Sequence, residues 1–194
     1  GAGDAAFRRA GARGGPVDTV YLGAWPRELL LALGGWDERL PRNQDYELAL
    51  RLRRAGHQVR LDPRIQSRTL TRGSPGALIR QYWGYGQGRA DTLALHPGSL
   101  RLRQALPALW AAFLPTAGLA SLVAPGLRPL LLLPLAAYLL CLLGAAALAA
   151  LRRAAPGRVL ALLPGVYLCM HLPWGLGFWW AVLTRSRRAV AGGG

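Results

Sequence analysis

The sequence predicts an α/β region over residues 17–104 and an all-α transmembrane region over residues 105–188. Short strand-like and helix-like segments alternate in the first region, whereas long apolar runs fill the second. All nine acidic residues of the 194 lie at or before Asp91, so the second region has cations and no anions. Residues 1–16 stay unassigned and are expected to be flexible, and residues 189–194 form a tail.

Charge and cysteine usage exclude several classes of protein. The formal net charge is +15, and all 24 basic residues are Arg. Because much of the excess Arg flanks apolar runs, it indicates membrane flanks rather than a nucleic-acid face. Cys141 and Cys169 lie in apolar runs without C-x-x-C spacing, which argues against a zinc site or a disulfide framework. The chain begins with Gly and has no visible signal peptide, so we expect a C-terminal fragment of a longer protein.

The first predicted elements are a strand, a turn and a helix. Residues 17–22 alternate and contain β-branched side chains, which predicts a strand that ends at Gly23. Pro26 suits the first position of a helix over residues 27–33, which a glycine pair ends. The missing side chain of Gly23 would let a ligand approach the backbone, although an ordinary strand–turn–helix explains the same pattern.

The next predicted helix contains two carboxylates in its first turn. It begins at Asn43 or Gln44 and carries Arg in its last turns. Acids at the start and Arg at the end complement the helix dipole, which is a purely structural explanation of Asp45 and Glu47. Because these two are two residues apart, they point in different directions and cannot act as one carboxylate pair. If the site is chemical, they have separate roles.

Two short strands are predicted at residues 57–61 and 65–70, followed by an amphipathic helix. Ser74 suits the N-cap of this helix, which would lie in the membrane interface over residues 75–90. A docked surface helix explains the pattern equally well. Three glycines predict that the helix gives way to a loop, namely Gly84, Gly86 and Gly88.

Three apolar runs then follow, each long enough for the about 20 helical residues that cross a hydrocarbon core. They cover residues 105–123, 129–151 and 159–183, and their interiors contain no Asp, Glu or Arg. Membrane burial is therefore favoured over a soluble core. Internal prolines would kink these helices without excluding them.

Arg positions predict the orientation of these runs. The first loop holds only Arg128 and the second holds three Arg, so the second loop and residues 17–104 are expected to be cytoplasmic. Three full spans would then place Arg185 outside, against the rule. Three explanations remain open: the rule fails at the tail, a fourth span is missing, or the third run is re-entrant and breaks at residues 173–175. His171 lies in that run, with either a functional or a hydrogen-bonded packing role.

An ordered set of motifs extends over residues 17–90. Its clearest runs are Gly34-Gly35-Trp36-Asp37-Glu38, Gln44-Asp45-Tyr46-Glu47-Leu48 and Arg51-Leu52-Arg53-Arg54-Ala55-Gly56. This set resembles the acceptor half of family-2 glycosyltransferases. Residues 17–25 and 81–86 look like the branch that includes the succinoglycan-biosynthesis glucosyltransferase and its exopolysaccharide relatives.

The resemblance implies a GT-A fold, an inverting mechanism, a nucleotide-sugar donor and a divalent metal, Mg or Mn. Asp45 matches the family's catalytic base, which takes the proton of the acceptor hydroxyl as it attacks the anomeric carbon. By the same resemblance, the acceptor or substrate would contact Glu47, Gln44, Gly23, Trp36 and Asp37. The residues near the diphosphate or the interface would be Gln81, Arg80 and Arg89.

The sequence departs from the family pattern in two places. Gln81 begins the family's Gln-x-x-Arg-Trp element, but Gly84-Tyr85 stand where Arg-Trp would come. No Asp-x-Asp is present, so the metal ligands are expected to lie outside this chain. A fragment explains both the missing motif and the missing nucleotide-binding strands.

The expected function is that of a multi-pass hexosyltransferase of the bacterial inner membrane, with its catalytic part in the cytoplasm. It would transfer a sugar from UDP-glucose to a polyprenyl-diphosphate-linked acceptor in exopolysaccharide synthesis, without a nucleic-acid partner. The alternative is a non-catalytic membrane assembly or transport subunit with a small cytoplasmic domain.

Overall fold

The computed structural model describes residues 13–20, 22–65, 73–152 and 156–191, with side chains at all of these except 103 and 186–191. Helices make up most of these ranges. The elements, in chain order, are β1 Gly15–Pro16, α1 Arg27–Ala32, α2 Gln44–Arg54, β2 Arg60–Leu61, α3 Pro75–Leu95, α4 Leu102–Val123, a 3-10 turn Pro125–Leu127, α5 Arg128–Leu151 and α6 Gly157–Ala191.

The sheet of the described residues is a two-residue ladder rather than the sheet of an α/β layer. β1 and β2 pair antiparallel, with Gly15 opposite Leu61. The predicted strand over residues 17–22 is wrong in its described part, because Val17 and Val20 pack on the same apolar cluster, which alternation along a strand forbids. The predicted strand over 57–61 shortens to β2, and residues 66–70 of the next one lie outside the described residues. The GT-A domain therefore stays a prediction.

Helices α1 and α2 form where the sequence predicts them. Pro26 stands at the N-cap of α1 rather than at its first helical position. Asn43 precedes α2 in the left-handed region at φ 64°, and Gly56 follows it at φ 86°. The apolar face of α2 consists of Leu48, Ala49 and Leu52, which are buried. These residues form a cluster with Val59, with leucines of α1, and with Val17 and Val20, which follow β1.

Helix α3 continues to Leu95, so the loop predicted after Trp83 is wrong. The Ser74 hydroxyl accepts a hydrogen bond from the Ala77 amide at 3.3 Å, as the predicted N-cap requires. Gly86 of α3 allows its contact with α6, since a Cβ there would lie 1.9 Å from the carbonyl oxygen of Trp174. This close backbone contact between α3 and α6 offsets the cost of about 1 kcal/mol that a helical glycine carries relative to alanine.

The three apolar runs form helices that are long and apolar enough to cross a membrane, over Gln104–Val123, Pro125–Leu151 and Gly157–Arg185. Most of their side chains are exposed in the isolated chain, which suits contact with lipid. The predicted break at residues 173–175 is absent, because α6 continues through Pro173.

The end of α6 lies beside α3, where Arg185 forms an ion pair with Asp91. Helix α6 also contacts the first turns of α4. A Cβ on Gly175 would lie 2.1 Å from the carbonyl oxygen of Pro107, and the Trp179 indole N–H donates to the Ala108 carbonyl at 2.7 Å. The second half of α6 is therefore held between α3 and α4.

His171 has a packing role in the apolar interior. Its Nδ1 lies 3.0 Å from the Tyr138 hydroxyl, and its ring stacks on Tyr167 with centroids 6.0 Å apart. These contacts join α5 to α6. Of the two roles predicted for His171, these contacts match the hydrogen-bonded packing role.

Candidate active site

Asp45 lies exposed in the first turn of α2. Its Oδ1 accepts a hydrogen bond from the Tyr46 amide at 2.8 Å, and no cation pairs with it among the described residues. The N-terminal end of a helix favours a negative charge at this position. The carboxylate is therefore held in direction by the backbone while its remaining oxygen faces solvent.

Glu47, two residues later, has the opposite environment. Its side chain is only 1% exposed, and both oxygens bind Arg51, at 2.7 Å to Nε and 2.9 Å to Nη2. His96 Nε2 lies 2.7 Å from Oε1 of the same carboxylate. Glu47 is thus fully engaged inside the protein, and the sequence argument that the two acids have separate roles agrees with this geometry.

The Glu47 cluster fixes the loop that follows α1. Arg51 donates to the carbonyl oxygens of Leu33 and Gly35, at 2.5 and 2.7 Å. Arg54 donates to His96 Nδ1 at 3.2 Å, which leaves the His96 Nε2 proton for Glu47. Sequence reasoning missed both Arg51 and His96 as positioning residues. The i,i+4 spacing signals the first, but no spacing signals the second.

The loop held in this way presents Trp36 and Asp37. The Trp36 side chain is 45% exposed, whereas the Leu40 side chain that ends the loop is buried. Asp37 pairs with Arg39 at 2.8 Å, and the hydrogen bonds from Arg39 lower the pKa of Asp37 to about 2. The loop therefore presents an exposed apolar ring, and beside it a carboxylate that stays ionised although its side chain is only 13% exposed.

Arg89 lies in a buried junction between helices and does not line an open surface. It is 3% exposed and donates through Nη2 to the Tyr46 hydroxyl, the Ser99 carbonyl and Gln104 Oε1, at 3.0, 2.7 and 2.5 Å. Its guanidinium also stacks 4.0 Å above the Tyr46 ring, and burial lowers the pKa of Arg89. The residue predicted at the diphosphate or the interface thus connects α2, α3 and the start of α4.

The other predicted site residues are dispersed. Gln44 and Arg80 are exposed, while the Gln81 amide donates to the Tyr85 hydroxyl at 2.7 Å within α3. A Cβ on Gly23 would lie 2.5 Å from the Trp25 ring. Packing of that indole, rather than the approach of a ligand, accounts for the glycine.

A cleft of about 330 Å³ lies between the loop that precedes α2, the middle of α3 and the end of α6. Its polar and aromatic lining consists of Arg42, Gln87, Asp91, Trp180, Thr184 and Arg185. Arg42 lies across two glycines of α3, since a Cβ on Gly84 would be 2.7 Å from Arg42 Nε and one on Gly88 3.0 Å from Arg42 Cβ. One wall of the cleft is therefore formed by Arg42, three residues before Asp45 in the chain, and another by the candidate membrane helix α6.

The described residues contain no group of three or more His, Cys, Asp or Glu side chains that could hold a metal ion.

The chain is similar to the succinoglycan biosynthesis protein ExoA of Rhizobium meliloti (strain 1021), with 31% identity over 163 residues. The match covers 84% of this chain and 47% of that protein, so the chain spans about half the length of the curated relative it matches. No family model matches the chain. No solved structure matches it either.

Proposed function

We propose that this chain carries the acceptor half of a membrane-bound glycosyltransferase of bacterial exopolysaccharide synthesis. The observation that carries the proposal is the exposed Asp45 carboxylate at a helix start, three residues after Arg42, which lines a cleft together with a candidate membrane helix. The similarity to a protein named for succinoglycan biosynthesis supports the same proposal. The donor would be a nucleotide sugar, UDP-glucose in the first instance, and the acceptor a polyprenyl-diphosphate-linked sugar.

The proposed step is an inverting displacement at the anomeric carbon. The acceptor hydroxyl oxygen forms the new bond to that carbon while the bond from carbon to the nucleoside diphosphate breaks. The diphosphate leaves with the bonding electron pair, and the hydroxyl proton passes to Asp45. An ionised carboxylate is the form that can accept this proton.

The residues around Asp45 contribute to the proposed step by positioning it. Glu47 and Arg51 hold the first turn of α2 against the preceding loop, so the direction of Asp45 is set before the acceptor arrives. The exposed indole of Trp36 offers a flat face to a sugar ring, and the exposed amide of Gln44 can donate to its hydroxyls. No step is assigned to a metal, because the described residues offer no ligand set for one.

Localisation follows from the same elements. We propose that the protein resides in the inner membrane with residues 17–104 on the cytoplasmic side, where nucleotide sugars are made. The Arg-rich loop between α5 and α6 supports this orientation by the positive-inside rule. A lipid-linked acceptor would then reach the site from the bilayer.

Replacement of Asp45 tests the function directly. In the full-length protein, Asp45→Asn is expected to lower kcat for transfer to the lipid-linked acceptor by about 10²- to 10⁴-fold, the range that a general base contributes. Binding of the nucleotide sugar should not change. Glu38→Gln, which removes another exposed carboxylate, serves as the matched control and should retain full activity.

Retained turnover in Asp45→Asn would remove Asp45 as the base. If the unsubstituted full-length protein released no nucleoside diphosphate from any nucleotide sugar while polymer production still required it, the protein would instead be an assembly or transport subunit.

A further inference from the structure

The cleft beside α3 holds a cation that no acid of the described residues neutralises. Arg42 is exposed and forms no ion pair among the described residues, although it leans on the backbone of Gly84 and Gly88. Two glycines at this spacing open a groove on α3 that the Arg42 side chain occupies along its length. The guanidinium is thus directed by packing, with its fork of N–H donors available.

A second cation at the other end of the cleft is only partly satisfied. Arg185 pairs with Asp91 through Nη2, and its side chain remains 45% exposed. Among the described residues that line the cleft, Asp91 is the one acid, so the two Arg leave an excess of one positive charge. Gln87 adds an amide to the lining of the same cleft. This set suits a phosphate ester, since bidentate Arg contacts match phosphate geometry.

The position of the cleft favours the phosphate of a lipid. Trp180 and Arg185 stand in the last turns of the apolar stretch Gly157–Arg185, and the Trp180 side chain is 54% exposed. Trp83 of α3 lies 6.2 Å from Trp180, centroid to centroid. Exposed aromatic rings and Arg at the end of a membrane helix mark the level of the lipid headgroups. A diphosphate held there would remain attached to a chain in the bilayer.

We propose that this cleft binds the phosphate groups of the lipid-linked acceptor, with Arg42 as the principal contact. The inference rests on the proposed function, because it assigns one end of the acceptor to this cleft and the other end to Asp45. Arg42 and Asp45 are three residues apart, so their Cα atoms lie within about 11 Å of each other. A sugar joined to the bound phosphate can therefore extend from Arg42 toward the carboxylate.

Direct binding separates this site from a donor site. The full-length protein in detergent is titrated, without nucleotide sugar, with undecaprenyl diphosphate, with undecaprenol and with UDP. Arg42→Ala is expected to weaken binding of undecaprenyl diphosphate about tenfold, which corresponds to the loss of one charge-assisted hydrogen bond. Binding of undecaprenol and of UDP should stay unchanged.

Two further variants make the result specific. Arg42→Lys keeps the charge and should recover part of the affinity, whereas Arg64→Ala removes an exposed Arg outside the cleft and should have no effect. Weaker binding of UDP would assign the cleft to the donor, and equal losses for undecaprenol would make it an apolar groove. Unchanged binding of undecaprenyl diphosphate would also overturn the proposal. Failure of the proposed function would appear elsewhere, as retained turnover in Asp45→Asn, and would leave these affinities intact.

Discussion

The backbone contact between α3 and α6 predicts a large effect from one methyl group. A Cβ on Gly86 would lie 1.9 Å from the carbonyl oxygen of Trp174 and 2.8 Å from the amide nitrogen of Phe178. Contacts of that kind do not occur below 3.0 Å, so Gly86→Ala must separate the two helices by about 1 Å or more. Backbone atoms cannot rotate away as the end of a flexible side chain can.

The net magnitude follows from two opposing effects. Overpacking of this kind costs about 3 kcal/mol, and replacing a helical glycine by alanine returns about 1 kcal/mol. We therefore expect Gly86→Ala to lower the free energy of unfolding by about 2 kcal/mol. For a domain of this size, the melting temperature should fall by about 4–8 °C.

Thermal unfolding of the full-length protein in detergent, followed by circular dichroism, measures this shift. Gly144→Ala in α5 is the matched control, because nothing lies within 4 Å of a Cβ at that position. The control should melt at the same temperature as the unsubstituted protein or slightly higher. If Gly86→Ala and Gly144→Ala melted together, the close approach of α3 and α6 would be refuted.

Two further predictions concern the acids around the candidate site. Glu47→Gln removes a buried charge that binds Arg51 and His96, so it should destabilise the protein by about 3 kcal/mol in the same melting assay; an unchanged melting temperature would show that the cluster does not hold α2. Arg39 lowers the pKa of Asp37 from 3.8 to about 2, so the stability that this pair contributes is complete above about pH 4 and is lost as the pH falls toward 2. Acid unfolding of Asp37→Asn should lack this part of the pH dependence, and a profile identical to that of the unsubstituted protein would contradict the pairing.

Local signals were enough to predict several elements. The start of α2 and the Ser74 cap depend on residues within one turn of each other, and the three apolar helices depend on composition over about 20 residues. The distinct surroundings of Asp45 and Glu47 also follow from helix periodicity alone, because two residues correspond to about 200° around the axis. Such features need no knowledge of the tertiary structure.

Other features depend on partners far away in the chain. The glycines of α3 have low helix propensity, and the helix continues through them because distant residues pack there, Trp174 against Gly86 and Arg42 against Gly84 and Gly88. Val17 and Val20 follow the pattern of a strand in the sequence, but in the structure both pack on the same side against α2. For the same reason the site predicted from the sequence did not include His96 or Arg42. His96 contacts Glu47, which is 49 residues away in the chain, and Arg42 contacts α3.

The ion pair between Asp91 and Arg185 has a topological consequence. Asp91 precedes α4 and Arg185 ends the third apolar stretch, so the chain between them returns to the side from which it left. A path that returns to its starting side crosses a bilayer an even number of times. If the three apolar helices lie in a bilayer, at most two of them then make full crossings, and the remaining helix does not cross. The ion pair keeps Arg185 on the side of the candidate site, which is the cytoplasmic side in the proposed orientation.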